Sequence, residues 1–117
     1  MISATIDTSA WIRALHLGGP GGLIIGYARA GKIRVDISDP IISETMRVLR
    51  TRFNWPGELL HETRGQLGKL CNLVSPVGKL DVIKEDPTDD RILECAVEAK
   101  SDFIVTEDKD LLRLGQY

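Results

Sequence analysis

The sequence predicts an α/β fold with one short parallel sheet. Short apolar runs that favour strands alternate along the chain with longer segments of helical periodicity, and this alternation is typical of parallel strands joined by crossover helices. The chain has 117 residues, of which 43% are apolar and 27% charged. This size and composition are typical of one compact domain, so we expect residues 1–117 to form a single domain.

In the first third of the chain, we expect strands where β-branched residues cluster and helices where apolar residues recur every three or four positions. The run Gly18–Gly22 is expected to be a loop, because only glycine adopts the dihedral angles of such turns without steric cost. Gly31 is expected to end the helix before it. In order, these elements are a strand at Ile2–Ile6, a helix at Thr8–Leu15, a helix at Leu23–Ala30 and a strand at Ile33–Ile37.

The remaining elements continue the same alternation. Ser38 or Asp39 can cap the next helix, with Pro40 in its first turn, and apolar residues line one of its faces. In order, the elements are a helix from Asp39 to about Phe53, a helix at Pro56–Leu73, a strand at Val74–Val77, a helix at about Asp89–Lys100, a strand at Phe103–Val105 and a helix at Leu111–Leu114.

Composition and charge exclude several classes of protein. No apolar run approaches the roughly 20 residues of a membrane span, and the N-terminus lacks the basic region of a secretory signal. Cys71 and Cys95 cannot build a disulfide framework and lack metal-ligand spacing, so we expect two core residues in a cytoplasmic protein. The net charge is +4 over residues 1–80 and −6 over residues 81–117. This asymmetry fits a polyanion partner beside a cation site, or simply two solvated faces.

Acidic residues follow the predicted strands at the positions where the strands end. Asp7 comes directly after the first strand, Glu44 lies one turn into the helix after the second, and Asp108 follows the last. Asp90, beside Asp89, opens the long helix before that last strand. Ligands of an open parallel sheet bind beyond the carboxyl ends of its strands. We therefore expect these carboxylates to converge at one edge of the sheet.

Each acid also has a purely structural explanation. Asp90 would be stabilised at a helix N-terminus, Glu44 could pair with Arg47 one turn on, and Asp110 could cap the last helix. Asp7 is harder to explain in this way, because a lone carboxylate at the end of a buried strand is costly without a cation.

A cluster of carboxylates stays ionised only beside a countercharge, since like charges raise each other's pKa values. Mg²⁺ or Mn²⁺ supplies that charge and prefers oxygen ligands, and such ions promote phosphodiester hydrolysis. Other chemistry is less well supported. His16 and His61 lie far from the acids in sequence, and the glycine-rich run lacks the Lys-Ser/Thr ending of a Walker A loop.

Four segments together carry a resemblance to a known family. They are Ile6–Ser9, Ser38–Glu44, Asp86–Leu93 and Phe103–Leu112. On these segments, which span nearly the whole chain in order, the sequence resembles PIN-domain proteins of the group of toxin components related to VapC-type ribonucleases.

This resemblance implies a three-layer α/β/α fold with a short parallel sheet, and a metal-dependent endoribonuclease that uses Mg²⁺ or Mn²⁺ on RNA. The acidic quartet of the family would be Asp7, Glu44, Asp90 and Asp108, with Asp7, Asp90 and Asp108 as the metal ligands. The auxiliary residues would be Ser9, Asp89, Thr106 and Asp110. The resemblance further implies a homodimer and an antitoxin protein as partner. Relatives usually continue past the position of Tyr117 into one more strand or short helix, so the C-terminal edge of the domain is expected to be cut short.

Single-stranded RNA is the expected substrate, because its unstacked bases are accessible. Arg47, Arg50 and Arg52 are the best candidates to contact phosphates, although a solvated helix face explains them at least as well. An aromatic content of 5% argues against a broad stacking platform.

Two other functions stay open at this point. One is a non-catalytic binding module, against which the intact quartet argues. The other is a receiver-like phosphoacceptor domain, which needs two acids after the first strand, where only Asp7 stands.

Overall fold

The computed structural model describes residues 1–17, 21–75 and 87–106. The strands are β1 (Ile2–Ile6), β2 (Ile33–Ser38), β3 (Asn72–Val74) and β4 (Phe103–Val105). The helices are α1 (Thr8–Ile12), which continues as a π-helical turn over Arg13–Leu17, α2 (Gly21–Arg29), α3 (Asp39–Phe53), α4 (Gly57–Leu70) and α5 (Pro87–Ala99). None of the helices in these ranges has both the length and the apolar character that a membrane crossing needs. The helix predicted at Leu111–Leu114 lies outside the described residues.

The four described strands form one sheet in the order β3-β2-β1-β4, and all neighbouring pairs are parallel. The chain steps in one direction from β1 through β2 to β3, and then returns past β1 to β4. Because crossovers between parallel strands are almost always right-handed, this order places α1–α4 on one face of the sheet and α5 on the other. The predicted α/β fold, with a parallel sheet flanked by helices, is confirmed.

The two central strands have one apolar face and one polar face. Side chains alternate between the faces of a strand, and Ile6, Val35 and Ile37 are at most 1% exposed. They pack in the core with Trp11 of α1 and Leu49 of α3, both of which are 0% exposed. The alternate positions carry polar side chains, namely Ser3, Thr5, Arg34, Asp36 and Ser38. One layer of the domain therefore packs on a polar sheet surface.

The junction between α4 and β3 differs from the prediction. The sequence predicts a helix up to Leu73, whereas α4 ends at Leu70. The backbone of Cys71 is extended, with ψ 158°, and Asn72 pairs with Asp36 of β2. Pairing with β2 thus determines where the helix ends, and the local apolar pattern does not reveal it.

The helix α2 begins earlier than predicted, since Gly21 and Gly22 belong to its first turn rather than to a loop. The N–H groups of a first turn have no intrahelical partners, and glycine is less costly there than in the middle of a helix. The predicted stop at Gly31 is confirmed by its φ of 73°, and Asn54, with φ 55°, ends α3 in the same left-handed conformation.

Both cysteines are buried free thiols, as the sequence predicts. Burial raises the pKa of Cys71 to about 12 and that of Cys95 to about 11. We expect neither thiol to react with Ellman's reagent at pH 8 in the folded protein, and both to react within minutes once guanidinium has unfolded it. Because folding raises these pKa values, their contribution to stability is complete below about pH 9 and is lost as the pH rises towards 12. Rapid labelling of the native protein would contradict the buried placement.

Candidate active site

The candidate site lies at the carboxyl ends of β1 and β4. Asp7 directly follows β1 and Thr106 directly follows β4, and these two strands are neighbours in the sheet. The strand order reverses between them, because β1 is followed by β2 on one side and β4 lies on the other. In open α/β sheets, this reversal opens a crevice in which ligands bind. Asp7 and Thr106 therefore stand where the topology favours a ligand.

The carboxylate of Asp7 is buried, with 3% of the residue exposed, and hydrogen bonds fix its orientation. Asp7 is the N-cap of α1, and its Oδ1 accepts a 2.8 Å hydrogen bond from the backbone N–H of Ala10. Its Oδ2 accepts a hydrogen bond from the hydroxyl of Thr106. The Asp7 N–H donates to the carbonyl of Val105 in β4 at 2.9 Å. The two strands thus hold this carboxylate in a single orientation.

Asp90 is the second buried acid among the predicted residues. It is the fourth residue of α5 and is 4% exposed. Glu94, one turn further along, is 8% exposed and pairs with Arg91 at 2.5 Å. Sequence reasoning missed Glu94 as a buried acid. Its spacing of four residues from Asp90, which places both on one helix face, is the signal that could have found it.

Glu44 makes the ion pair that the structural explanation of this residue expects. The Nε of Arg47 donates to Oε2 of Glu44 at 3.0 Å, and the Glu44 side chain is 25% exposed. This hydrogen bond raises the pKa of Arg47 above its usual value. The pair is solvent-exposed and therefore contributes little to stability. The Glu44 carboxylate can bind a ligand only if it shares its oxygens between that ligand and Arg47, or if the ion pair with Arg47 breaks.

The carboxylate oxygens of Asp7 and Asp90 are ligand atoms of the kind that a hard divalent ion prefers. A carboxylate offers about four lone-pair sites. Within residues 1–17, 21–75 and 87–106, no three acidic, histidine or cysteine side chains come close enough to hold a metal ion. Asp108 and Asp110 lie outside these ranges. The described part of the chain thus supplies two buried carboxylates of the right chemistry, Asp7 and Asp90.

The other predicted residues lie as follows. Ser9 is exposed on α1, and Arg50 and Arg52 are exposed in the last turn of α3. Asp89 belongs to α5, and its side chain is not among those that the structure describes. The exposed arginines are accessible to a polyanion, which agrees with their predicted role and does not test it.

Asp36 is another buried acid that was not singled out from the sequence. It lies in the middle of β2 and is 0% exposed. It accepts hydrogen bonds from Arg34 at 2.7 Å, from Asn72 of β3 at 3.0 Å and from Ser101 at 2.6 Å. Ser101, between α5 and β4, also bonds Thr5 of β1 at 2.7 Å. The alternation of polar residues along β2 is the signal that could have found it.

This network holds the segment that leads into β4. The guanidinium of Arg34 donates both to Asp36 and to the carbonyl of Ala99, the last residue of α5, at 2.8 Å. The hydrogen bond to Asp36 raises the pKa of Arg34. The network therefore joins three strands to the turn that positions β4. In this way it helps to hold β4, and with it Thr106, in place beside Asp7.

Comparisons with known proteins agree with this architecture. The family model of the PIN domain matches residues 3–110. Among solved structures, the chain is similar to VapC20 of Mycobacterium tuberculosis, described as a Sarcin-Ricin loop cleaving toxin, with a TM-score of 0.65 and 14% identity. The match covers 97% of this chain and 96% of that one. At this identity, the likeness shows the fold alone. No curated protein sequence gives a significant match.

Proposed function

We propose that this chain, which belongs to the PIN domain family, is a metal-dependent endoribonuclease that acts on single-stranded RNA. We also propose that residues 1–117 form a single domain. The observation that carries the proposal is the buried carboxylate of Asp7, oriented by Ala10 and Thr106 at the strand-order reversal. A buried acid in a ligand crevice is well suited to bind a cation.

In the proposed mechanism, Asp7, Asp90 and Asp108 would hold one or more Mg²⁺ or Mn²⁺ ions. Such an ion, when bound, activates water and neutralises the charge on the phosphodiester. Thr106 keeps the Asp7 carboxylate in position by donating a hydrogen bond to its Oδ2. The auxiliary residues, which support the ligands of the ion, are Ser9, Asp89 and Asp110. Glu44 accepts the proton of the attacking water after its carboxylate parts from Arg47. The water oxygen bonds to phosphorus, the bond from phosphorus to the 3′-oxygen breaks, and the 3′-oxygen takes a proton from solvent, which leaves 5′-phosphate and 3′-hydroxyl ends.

The biological role proposed for this activity is that of a toxin in a toxin–antitoxin pair. The structural neighbour is itself a toxin, and the sequence resembles the toxin components of this family. We place the protein in the cytoplasm as a homodimer that an antitoxin protein inhibits. Arg47, Arg50 and Arg52 would contact the RNA backbone.

Removal of divalent ions is expected to stop RNA cleavage. A labelled pool of single-stranded RNA is incubated with the chain in Mg²⁺, in Mn²⁺ and in EDTA, and the products are resolved on a sequencing gel. We expect cutting with either ion, a loss of at least about a hundredfold in EDTA, because the ion contributes several kcal/mol to the transition state, and recovery when excess ion is restored.

Ligation of the products distinguishes this activity from that of contaminating ribonucleases, because only 5′-phosphate ends ligate directly. Cutting that persists in EDTA, or no cutting by folded, antitoxin-free protein with either ion, would contradict the proposal. The second outcome would favour the non-catalytic binding module.

A further inference from the structure

Three rings from two distant parts of the chain form a cluster at the C-terminal end of α3. The ring centroids of His16 and Phe53 are 4.3 Å apart, and those of His16 and Trp55 are 6.1 Å apart. The indole N–H of Trp55 donates to Nδ1 of His16 at 3.0 Å. Because Nδ1 accepts, the proton of neutral His16 is on Nε2, which can donate to another group. We call these three residues the ring cluster.

The ring cluster is accessible. His16 is exposed, Phe53 is 36% exposed and Trp55 is partly buried. The apolar core of the described residues includes neither His16 nor Phe53, whereas Trp55 packs against its edge. The buried apolar face of α3 therefore ends before Phe53, which lies at the surface. Exposed rings held in a fixed arrangement offer faces on which a planar group can stack.

The surroundings of the ring cluster are basic. From position 45 to position 57 the sequence has three arginines and no acid. Within the described residues, Arg50 and Arg52 form no ion pair, in contrast to Arg47. Arg50 precedes Phe53 by three positions and so lies beside it on the helix surface. A partner that is both planar and anionic could stack on the rings and form ion pairs with the guanidinium groups of Arg50 and Arg52.

The same helix connects the ring cluster to the candidate site. α3 starts directly after β2, at the carboxyl edge of the sheet, and Glu44 lies in its second turn. The nine residues from Glu44 to Phe53 span about 13 Å along the helix, at roughly 1.5 Å per residue. Arg47 and Arg50 lie between them at intervals of three, and each interval drifts by about 60° around the helix axis. The two exposed arginines therefore mark a diagonal path across the outer face of α3 from Glu44 to Phe53. Several nucleotides of extended RNA could follow this path.

We propose that the ring cluster is a base-stacking subsite for single-stranded RNA, with Arg50 and Arg52 contacting the phosphates beside the stacked base. This inference rests on the proposed ribonuclease function, and it specifies where the protein binds the RNA strand outside the cleavage site. Base–ring stacking is tolerant of sequence, and arginines supply the backbone charge. The low aromatic content excludes a broad platform, but the fold gathers two aromatic residues and His16 into one local subsite.

The structural explanation of the same residues makes a different prediction. Arginines in the last turn of a helix are stabilised by the helix dipole, and the rings would then only cover the end of α3. In that case their replacement would change stability and leave RNA affinity unchanged. The two explanations are therefore separated by measuring RNA binding and stability on the same variants.

The test measures binding of a fluorescein-labelled single-stranded RNA oligonucleotide to the full chain in EDTA, by anisotropy. The variants are Phe53→Leu and Trp55→Leu, and Tyr27→Leu is the matched control, since Tyr27 is a 50% exposed ring on α2. We expect each cluster variant to weaken binding about 5- to 100-fold, the loss typical of one stacked base, and the control to bind as the wild type does. Binding should also quench Trp55 fluorescence, whereas Trp11, at 0% exposure, is shielded.

Arg50→Gln keeps the test decisive even if a ring variant unfolds, because it changes only an exposed side chain. It should reduce the slope of log affinity against log salt by about 0.7, the value for one phosphate contact on a single strand. Unchanged affinity in Phe53→Leu and an unchanged slope in Arg50→Gln would overturn the proposal.

The failure of the subsite and the failure of the proposed function give different results. If the wild type cleaves RNA in Mg²⁺ but the cluster variants bind and cleave normally, only the subsite is wrong. If the wild type neither binds nor cleaves RNA, both are wrong. A change in oligomeric state by light scattering, with RNA affinity unchanged, would instead make the cluster a protein interface and overturn the subsite.

Discussion

Replacing Asp7 by asparagine is expected to lower RNA cleavage by at least about a hundredfold with little change in stability. Asparagine keeps an oxygen for the N–H of Ala10 and is as good an N-cap as aspartate. The hydroxyl of Thr106 can accept from the new amide as readily as it now donates. Only the charge is lost, and a neutral amide is a poorer ligand for a hard divalent ion.

The matched control is Asp39→Asn, which removes a charge at the same edge of the sheet. Asp39 is exposed in the first turn of α3 and has no proposed role in the reaction. The measurement is kcat/KM on a labelled RNA at several Mg²⁺ concentrations, together with the thermal midpoint. Equal losses of activity in the two variants, or full activity in Asp7→Asn, would remove Asp7 from the ion site.

Replacing Asp36 by alanine is expected to destabilise the fold by about 3 kcal/mol, because it removes a fully buried carboxylate that accepts hydrogen bonds from Arg34, Asn72 and Ser101. Asn72 is exposed and can turn to water, whereas Ser101 keeps its hydrogen bond with Thr5. The side chain of Arg34 is 42% exposed and can turn to water, which keeps the cost near the lower end of the range for a broken buried pair. A loss of this size lowers the thermal midpoint by about 10 °C or more in a domain of this length.

Urea denaturation at pH 7 measures this loss, with Glu62→Ala on the surface of α4 as the control. Glu62 is exposed and accepts a hydrogen bond from Gln66 at 3.4 Å, so the change in stability on its removal should stay within about 0.5 kcal/mol. A change below about 1 kcal/mol in Asp36→Ala would mean that water replaces the carboxylate and that the network is not a structural support.

The fold class and two of the strands could be predicted from sequence, because their signals are local. β1 and β4 are short β-branched runs with clear ends, and both have the predicted bounds. The burial of Asp7 followed from its place after a central strand, and the structure confirms it. Thr106 was placed near the site by the resemblance, and its hydrogen bond to Asp7 agrees with that.

Features that depend on register or on distant pairs could not be predicted in this way. The end of α4 is set by pairing of β3 with β2, which no local pattern reveals. Asp36 is satisfied by Ser101, 65 positions away in sequence. The ring cluster joins His16 and Trp55, which are 39 positions apart. The predicted roles of all four acids stay predictions. Glu44 is in addition paired with Arg47, and Asp108 lies outside the described residues.

The distance in sequence between β1 and β4 has a consequence for how the protein is made. The residues that meet at the crevice, Asp7 and Thr106, are 99 positions apart, and contacts of such separation form late in folding. The ribosome must therefore synthesise residues 1–106 before β4 can pair with β1. Until then the carboxylate of Asp7 lacks the hydroxyl of Thr106 that orients it, so the crevice is among the last parts of the described fold to form.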